Sequence, residues 1–130
     1  MTDVRPTLSP AAVSSLVAAL RDPRVGCATG ALHLRGAHAH GLYWRYEQAI
    51  RRAESRFRGM VGATGPLVAM RRSDVAPFDE RLVSDDLAFP LELARRGLRT
   101  TLVEQARADD VSFADAEERV RKIRNLGGNW

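Results

Sequence analysis

Two adjacent carboxylates, Asp85 and Asp86, stand in the stretch VSDDLAFPLELARRGLRT, just before an apolar run at helical spacing. The first turn of a helix presents unpaired N–H groups and the positive end of the helix dipole, and both favour the ionised acid. An ionised carboxylate in a cleft can take a proton from a hydroxyl. The same residues also suit a plain capping role, with Ser84 as the cap, one acid facing the dipole and the other solvated. Two further clusters bear on the choice. Arg121, Lys122 and Arg124, followed by Gly127 and Gly128, make a cationic helix end suited to gripping a diphosphate leaving group. Gly62, Ala63, Thr64 and Gly65 are small enough for a polar substrate to lie against backbone. Cys27, His33, His38 and His40 lie close in sequence, but their spacing matches no usual zinc pattern. They read as a polar loop beside a buried strand cysteine.

These groups need elements to position them. Ser9-Pro10 ahead of Val13, Leu16, Val17 and Leu20 predicts a capped helix ending at Asp22-Pro23. VGCATGALHL, 25 to 34, reads as a buried strand, and RGAHAHG, 35 to 41, as a loop. Leu42, Tyr46, Ala49, Ile50, Ala53 and Phe57 recur at helical spacing, with Arg45, Gln48, Arg51, Arg52, Ser55 and Arg56 largely opposite. This basic amphipathic helix is expected to pack Tyr46 against a sheet; Trp44, with Tyr43, also suits a membrane interface.

MVGATGPLVAM, 60 to 70, reads as a bent strand or a loop-to-strand transition. A helix is expected from about Asp85 to Arg96, with Leu87, Leu91 and Ala94 on one face, Gly97 at its end and Pro90 tolerable only near its first turn. LRTTLVE, 98 to 104, reads as a short strand. Ser112 and Asp115 open a last helix carrying Ala116, Val120 and Ile123. The alternation of helix and strand predicts an α/β layered domain, one unit over residues 1–130, with helices on the faces of its sheet.

A composition of 45% hydrophobic and 28% charged residues is that of a folding chain. No apolar run long enough to span a membrane and no signal peptide is visible, so a soluble, cytoplasmic location is expected. The lone Cys27 excludes an internal disulfide. All but one of the 20 basic side chains are arginine, Lys122 being the exception, and the net charge is +4. Arginine forks fit phosphate oxygens in pairs, which leaves nucleic acid, nucleotide diphosphate and anionic headgroups as partner classes. No G-x-S-x-G elbow or phosphate-binding loop occurs, so hydrolase and NTPase readings lack support.

In order along the chain, the segments TDVR, LSPAAVSSLVAALRDPRVGCATGAL, GLYWRYEQAIRRAESRF, VGATGPLVAMRR, SDDLAFPLELARRGLRT and RVRKIRNLGGNW resemble the C-terminal part of the catalytic domain of family 2 glycosyltransferases. This is the GT-A type that includes cellulose and hyaluronan synthases. The resemblance implies a partial GT-A sheet lacking the N-terminal nucleotide-binding half. It also implies inverting transfer of a sugar from a nucleotide-diphosphate donor to a carbohydrate or lipid acceptor, in polysaccharide biosynthesis, often at the cytoplasmic face of the inner membrane.

By the same resemblance Asp86 is the general base that deprotonates the acceptor hydroxyl, and Asp85 is the acid preceding it. Asp3 matches the first aspartate of the D-x-D motif, which holds a divalent cation, Mg or Mn, against the donor diphosphate. Arg5 stands at the second position of that motif. Arg124 matches the arginine of the Q-x-x-R-W region, Arg121 replaces its glutamine and Asn125 its tryptophan. This favours a single transfer over processive polymerisation. Without the nucleotide-binding half, the chain alone is expected to bind donor weakly or not at all. Unpaired sheet edges would then be open to a second copy or a partner chain. The competing expectation is a non-catalytic binding module that docks on a partner, anionic lipid or nucleic acid, with nucleic acid the least favoured.

Overall fold

The apolar, β-branched run from Val25 forms the central strand of the protein, buried from Val25 to Ala31. The computed structural model describes Thr2 and residues 5–35, 41–64, 66–75 and 85–111. Its elements are β1 (Thr7–Leu8), α1 (Ala12–Ala19), β2 (Val25–Arg35), α2 (Gly41–Phe57), β3 (Val68–Met70), a 3-10 turn (Arg72–Asp74), α3 (Asp85–Arg95) and β4 (Arg99–Val111). The strands form one mixed sheet in the order β1-β4-β2-β3. β2 and β4 run parallel, while β1 and β3 pair antiparallel on the outside. The fold is therefore mixed α/β, as the alternation of elements predicts. The helix expected from Ser112 onward lies outside the described residues.

Successive residues of a strand point to opposite faces, and β2 divides two cores in this way. Ala28 joins Ala12 and Leu16 of α1 with Leu67, Val103, Ala106 and Ala108. Cys27 joins Leu93 of α3 and Ala63, backed by Val68, Met70 and Leu98. Burial pushes the Cys27 thiol up to about 11, so it packs as a small apolar group.

The first helix departs from expectation at its start. Ser9 does not cap it, because its hydroxyl lies 3.3 Å from both the Gln105 carbonyl and the Arg107 amide of β4. The helix begins instead after Ala11, with no side-chain cap. It buries Ala12 and Leu16 and leaves Val13 and Val17 exposed. β4 also runs well past residue 104. Its second half alternates buried Ala106 and Ala108 with exposed Arg107, a period-2 pattern hidden by its polar composition. Between the halves lies a bulge: Gly30 pairs with Val103 and Ala31 with Arg107.

Arginines brace the end of the sheet where β2 and β4 begin. Asp22 accepts the Arg24 amide at 2.9 Å, both arms of the Arg24 guanidinium at 3.1 and 3.0 Å, and Arg99 Nη2 at 3.0 Å. Hydrogen bonds from the Arg24 side chain, then from its backbone, hold the Asp22 carboxyl down at about 2, against an ordinary 3.8. A carboxyl depressed in the folded state stabilises the fold above its ordinary range and loses that contribution as pH falls through the folded value. Side-chain carboxyl titration by NMR is therefore expected to place Asp22 near 2. Asp22→Asn should flatten the part of the stability profile that falls between about pH 4 and 2. A midpoint near 3.8 would show that the brace does not hold in solution.

Candidate functional site

Asp86 lies in the first turn of α3, a helix with a proline at its sixth residue. Pro90 has no N–H to give the carbonyl four residues back, which is that of Asp86. The free carbonyl is taken by Ala63, whose amide donates to Asp86 O at 2.7 Å. A proline placed deeper than the first turn, where the sequence pattern alone would not tolerate it, thus docks the small-residue segment onto the start of the acidic helix. At the other end of α3, Gly97 adopts φ +77° and lets Leu98 N–H reach back to Leu93 O at 2.9 Å, which ends the helix as expected.

The segment is also held from behind. Thr64 N–H donates to the buried Thr29 hydroxyl of β2 at 2.8 Å. The Thr29 hydroxyl in turn lies 3.2 Å from Leu67 O and 3.3 Å from Thr64 O. From α2, Arg51 donates through Nη1 to Thr64 Oγ1 at 2.9 Å and through Nη2 to Glu47 Oε1 at 2.8 Å. The amides of Ala63 and Thr64 are therefore already engaged. The surface offered to a ligand here is the open side of Gly62, where an added Cβ would meet only Asp86 O at 3.6 Å and Leu87 Cδ1 at 3.9 Å.

Together these elements enclose a cleft of about 320 Å³ whose lining includes Glu47, Arg51, Glu54, Gly62, Ala63 and Asp86. Asp86 is exposed there rather than sealed in the core. Three carboxylates and one guanidinium in a groove suit the recognition of a polyhydroxylated or cationic group, with a solvent-reachable carboxylate to accept a proton. Among the described residues no cluster of three His, Cys, Asp or Glu side chains has the geometry to hold a metal ion.

The expected site residues divide in two. Asp86, Gly62, Ala63 and Thr64 come together around the cleft. Asp3, Gly65, Arg121 and Arg124 lie outside the described residues, as does the Asp85 side chain. Thr2 Oγ1 donates to Pro66 O at 2.9 Å and Thr2 bridges Leu67, just past the small-residue segment. Arg5 pairs with Asp110 at 3.1 Å.

The sequence does not mark Glu47 or Glu54, and it places Arg51 on the basic, solvent side of its helix, a docking residue in the binding-module reading and not a cleft residue. Their signal is the (i, i+4) pair of Glu47 and Arg51, which is common on solvated helices and so carries little weight. The structure turns α2 over. Gln48 is buried, Arg51 faces the cleft, and the Ser55 hydroxyl meets Thr101 Oγ1 at 3.1 Å and accepts Leu102 N–H at 2.8 Å. Tyr46, expected against the sheet, is 65% exposed. The helix turns Ser55 to β4, where it meets a threonine hydroxyl and a backbone amide that an apolar side chain would leave unsatisfied.

The contact between α3 and the small-residue segment is open to test. Pro90→Ala supplies an intrahelical donor that competes for Asp86 O. Hydrogen exchange at the Ala63 amide is then expected to quicken by about tenfold or more, corresponding to a weakened bond of about 1.4 kcal/mol. Unchanged protection of Ala63 would mean that Pro90 does not set this contact.

No helix among the described residues is long and apolar enough to cross a membrane. Compared with protein-family models and with curated proteins, the sequence matches none.

Proposed function

We propose that the chain is the acceptor-side part of an inverting, nucleotide-sugar-dependent glycosyltransferase of the GT-A type, with Asp86 as general base. The observation that carries this reading is the union of Asp86 with Gly62 and Ala63 in one cleft, through the 2.7 Å bond from Ala63 N–H to Asp86 O. Ala63 and Gly62 stand 23 and 24 residues before Asp86 in the sequence, and both segments are among those that carry the resemblance.

In this reading the acceptor hydroxyl lies over Gly62, where no side chain blocks it, and gives its proton to the Asp86 carboxylate. The oxygen attacks the anomeric carbon of the donor as the bond from that carbon to the diphosphate breaks on the opposite face. The anomeric configuration inverts, and the proton ends on Asp86. Arg51 and Glu47 orient the sugar, since a fixed guanidinium and carboxylate pair both donates to and accepts from ring hydroxyls. Arg121 and Arg124 would take the diphosphate. Asp3 would hold the divalent cation, which supplies charge neutralisation at the leaving group.

The test is sugar transfer from a panel of uridine diphosphate sugars, measured for the chain together with a separately supplied nucleotide-binding half. Turnover should be present with the wild-type chain and lost in Asp86→Asn. Equal turnover in both would end the reading.

A further inference from the structure

The inverted α2 leaves its apolar side facing out. Leu42 is 83% exposed, Tyr46 65%, Ile50 39% and Phe57 86%. At 100° per residue these positions, with exposed Ala49 and Ala53, form a stripe about 100° wide and about 22 Å long. One border carries exposed Arg45, Arg52 and Arg56, of which Arg52 is 3.3 Å from Glu104. The other border is Glu47 and Glu54, which turn into the cleft.

We propose that this face of α2 docks on an anionic lipid surface, the apolar stripe entering the boundary between headgroups and acyl chains and the arginine border lying against lipid phosphates. The charge pattern selects this occupant. An apolar stripe edged by arginine, with its acids turned away, is the arrangement that binds a negatively charged interface. A second copy fits less well: a two-fold antiparallel pairing along the stripe would set each arginine border against itself. Because Ile50 belongs to both stripe and cleft, docking brings the cleft mouth to headgroup level. The docking does not depend on the transfer reading.

Cosedimentation of the full 130-residue chain with vesicles tests it directly. Vesicles of phosphatidylcholine containing phosphatidylglycerol are expected to bind the chain on the order of 100-fold more tightly than phosphatidylcholine alone, from three arginines at the surface. Leu42→Ser with Phe57→Ser should remove most binding to either vesicle. Arg45→Gln with Arg56→Gln should remove most of the preference and its salt dependence. Val13→Ser with Val17→Ser, on α1, should bind as wild type, and unchanged thermal midpoints would show that all variants are folded. Equal affinity for both vesicles, wild-type binding by the Leu42 and Phe57 variant, or no vesicle binding would overturn the proposal. So would a dimer, seen by light scattering, that the same variant dissociates, since the stripe would then belong to a second copy.

Discussion

Asp86→Asn is expected to lower sugar transfer by about 10²- to 10⁴-fold, the range a positioned general base contributes. The substitution isolates the chemistry. Asparagine keeps the size of the side chain and leaves the backbone carbonyl that accepts Ala63 N–H at 2.7 Å, so the cleft wall should stay in place. Asp86 is exposed, and its replacement opens no cavity. Thermal stability should therefore change little while turnover collapses. The loss should fall on kcat more than on KM, because a base acts in the transition state rather than in substrate binding. A KM effect alone would make Asp86 a binding residue, and the base would have to be sought elsewhere.

Gly30→Ala is expected to cost about 2–3 kcal/mol of folding stability, at the upper end of overpacking substitutions. A Cβ at this position would stand 2.6 Å from the Ala106 carbonyl oxygen and 2.6 Å from Leu67 Cδ2. The first is backbone and cannot rotate away. Gly30 also sits where β4 bulges, between the pairs Gly30 with Val103 and Ala31 with Arg107, so relief would require the register itself to shift. Gly62→Ala is the matched control, since its Cβ would find only ordinary contacts, and it should cost about 0.5 kcal/mol or less. Chemical denaturation of the two variants reads the difference; equal midpoints would mean that the bulge gives way cheaply.

Much of the fold is legible in the sequence. The buried strand at 25 to 34, the helix from about 41 to 57 and the helix from Asp85 closed by Gly97 follow from apolar period, β-branching and capping chemistry. What was not legible has particular causes. The period of α2 marks an apolar side but does not say that this side turns inward. That depends on what β4 presents, and β4 presents the Thr101 hydroxyl and the Leu102 amide to Ser55. The same gap hid the second half of β4, whose QARADDV reads as a surface run until Ala106 and Ala108 are seen packed under α1. Ser9 looked like a cap because caps are local, whereas its partners lie some 96 residues away. At the site, the sequence places Asp86 and the small-residue segment beside one substrate, but their direct contact through Ala63 N–H depends on a backbone carbonyl that no sequence pattern marks. The contribution of Pro90 is not legible in the sequence, since a proline in a helix reads as a break and not as a freed acceptor.

The parallel register of β2 with β4 joins Val25 to Arg99 and Arg35 to Val111. Neither strand can form its ladder until more than seventy intervening residues have been gathered in, and closing so long a loop must precede any reward from pairing. Such a chain should refold in milliseconds to seconds rather than microseconds. On the ribosome, β2 can meet β3 first, but its long parallel edge must wait for β4 to emerge, and in that interval this edge is exposed to aggregation. Productive expression should therefore respond to growth temperature and chaperone supply more than to any single surface substitution.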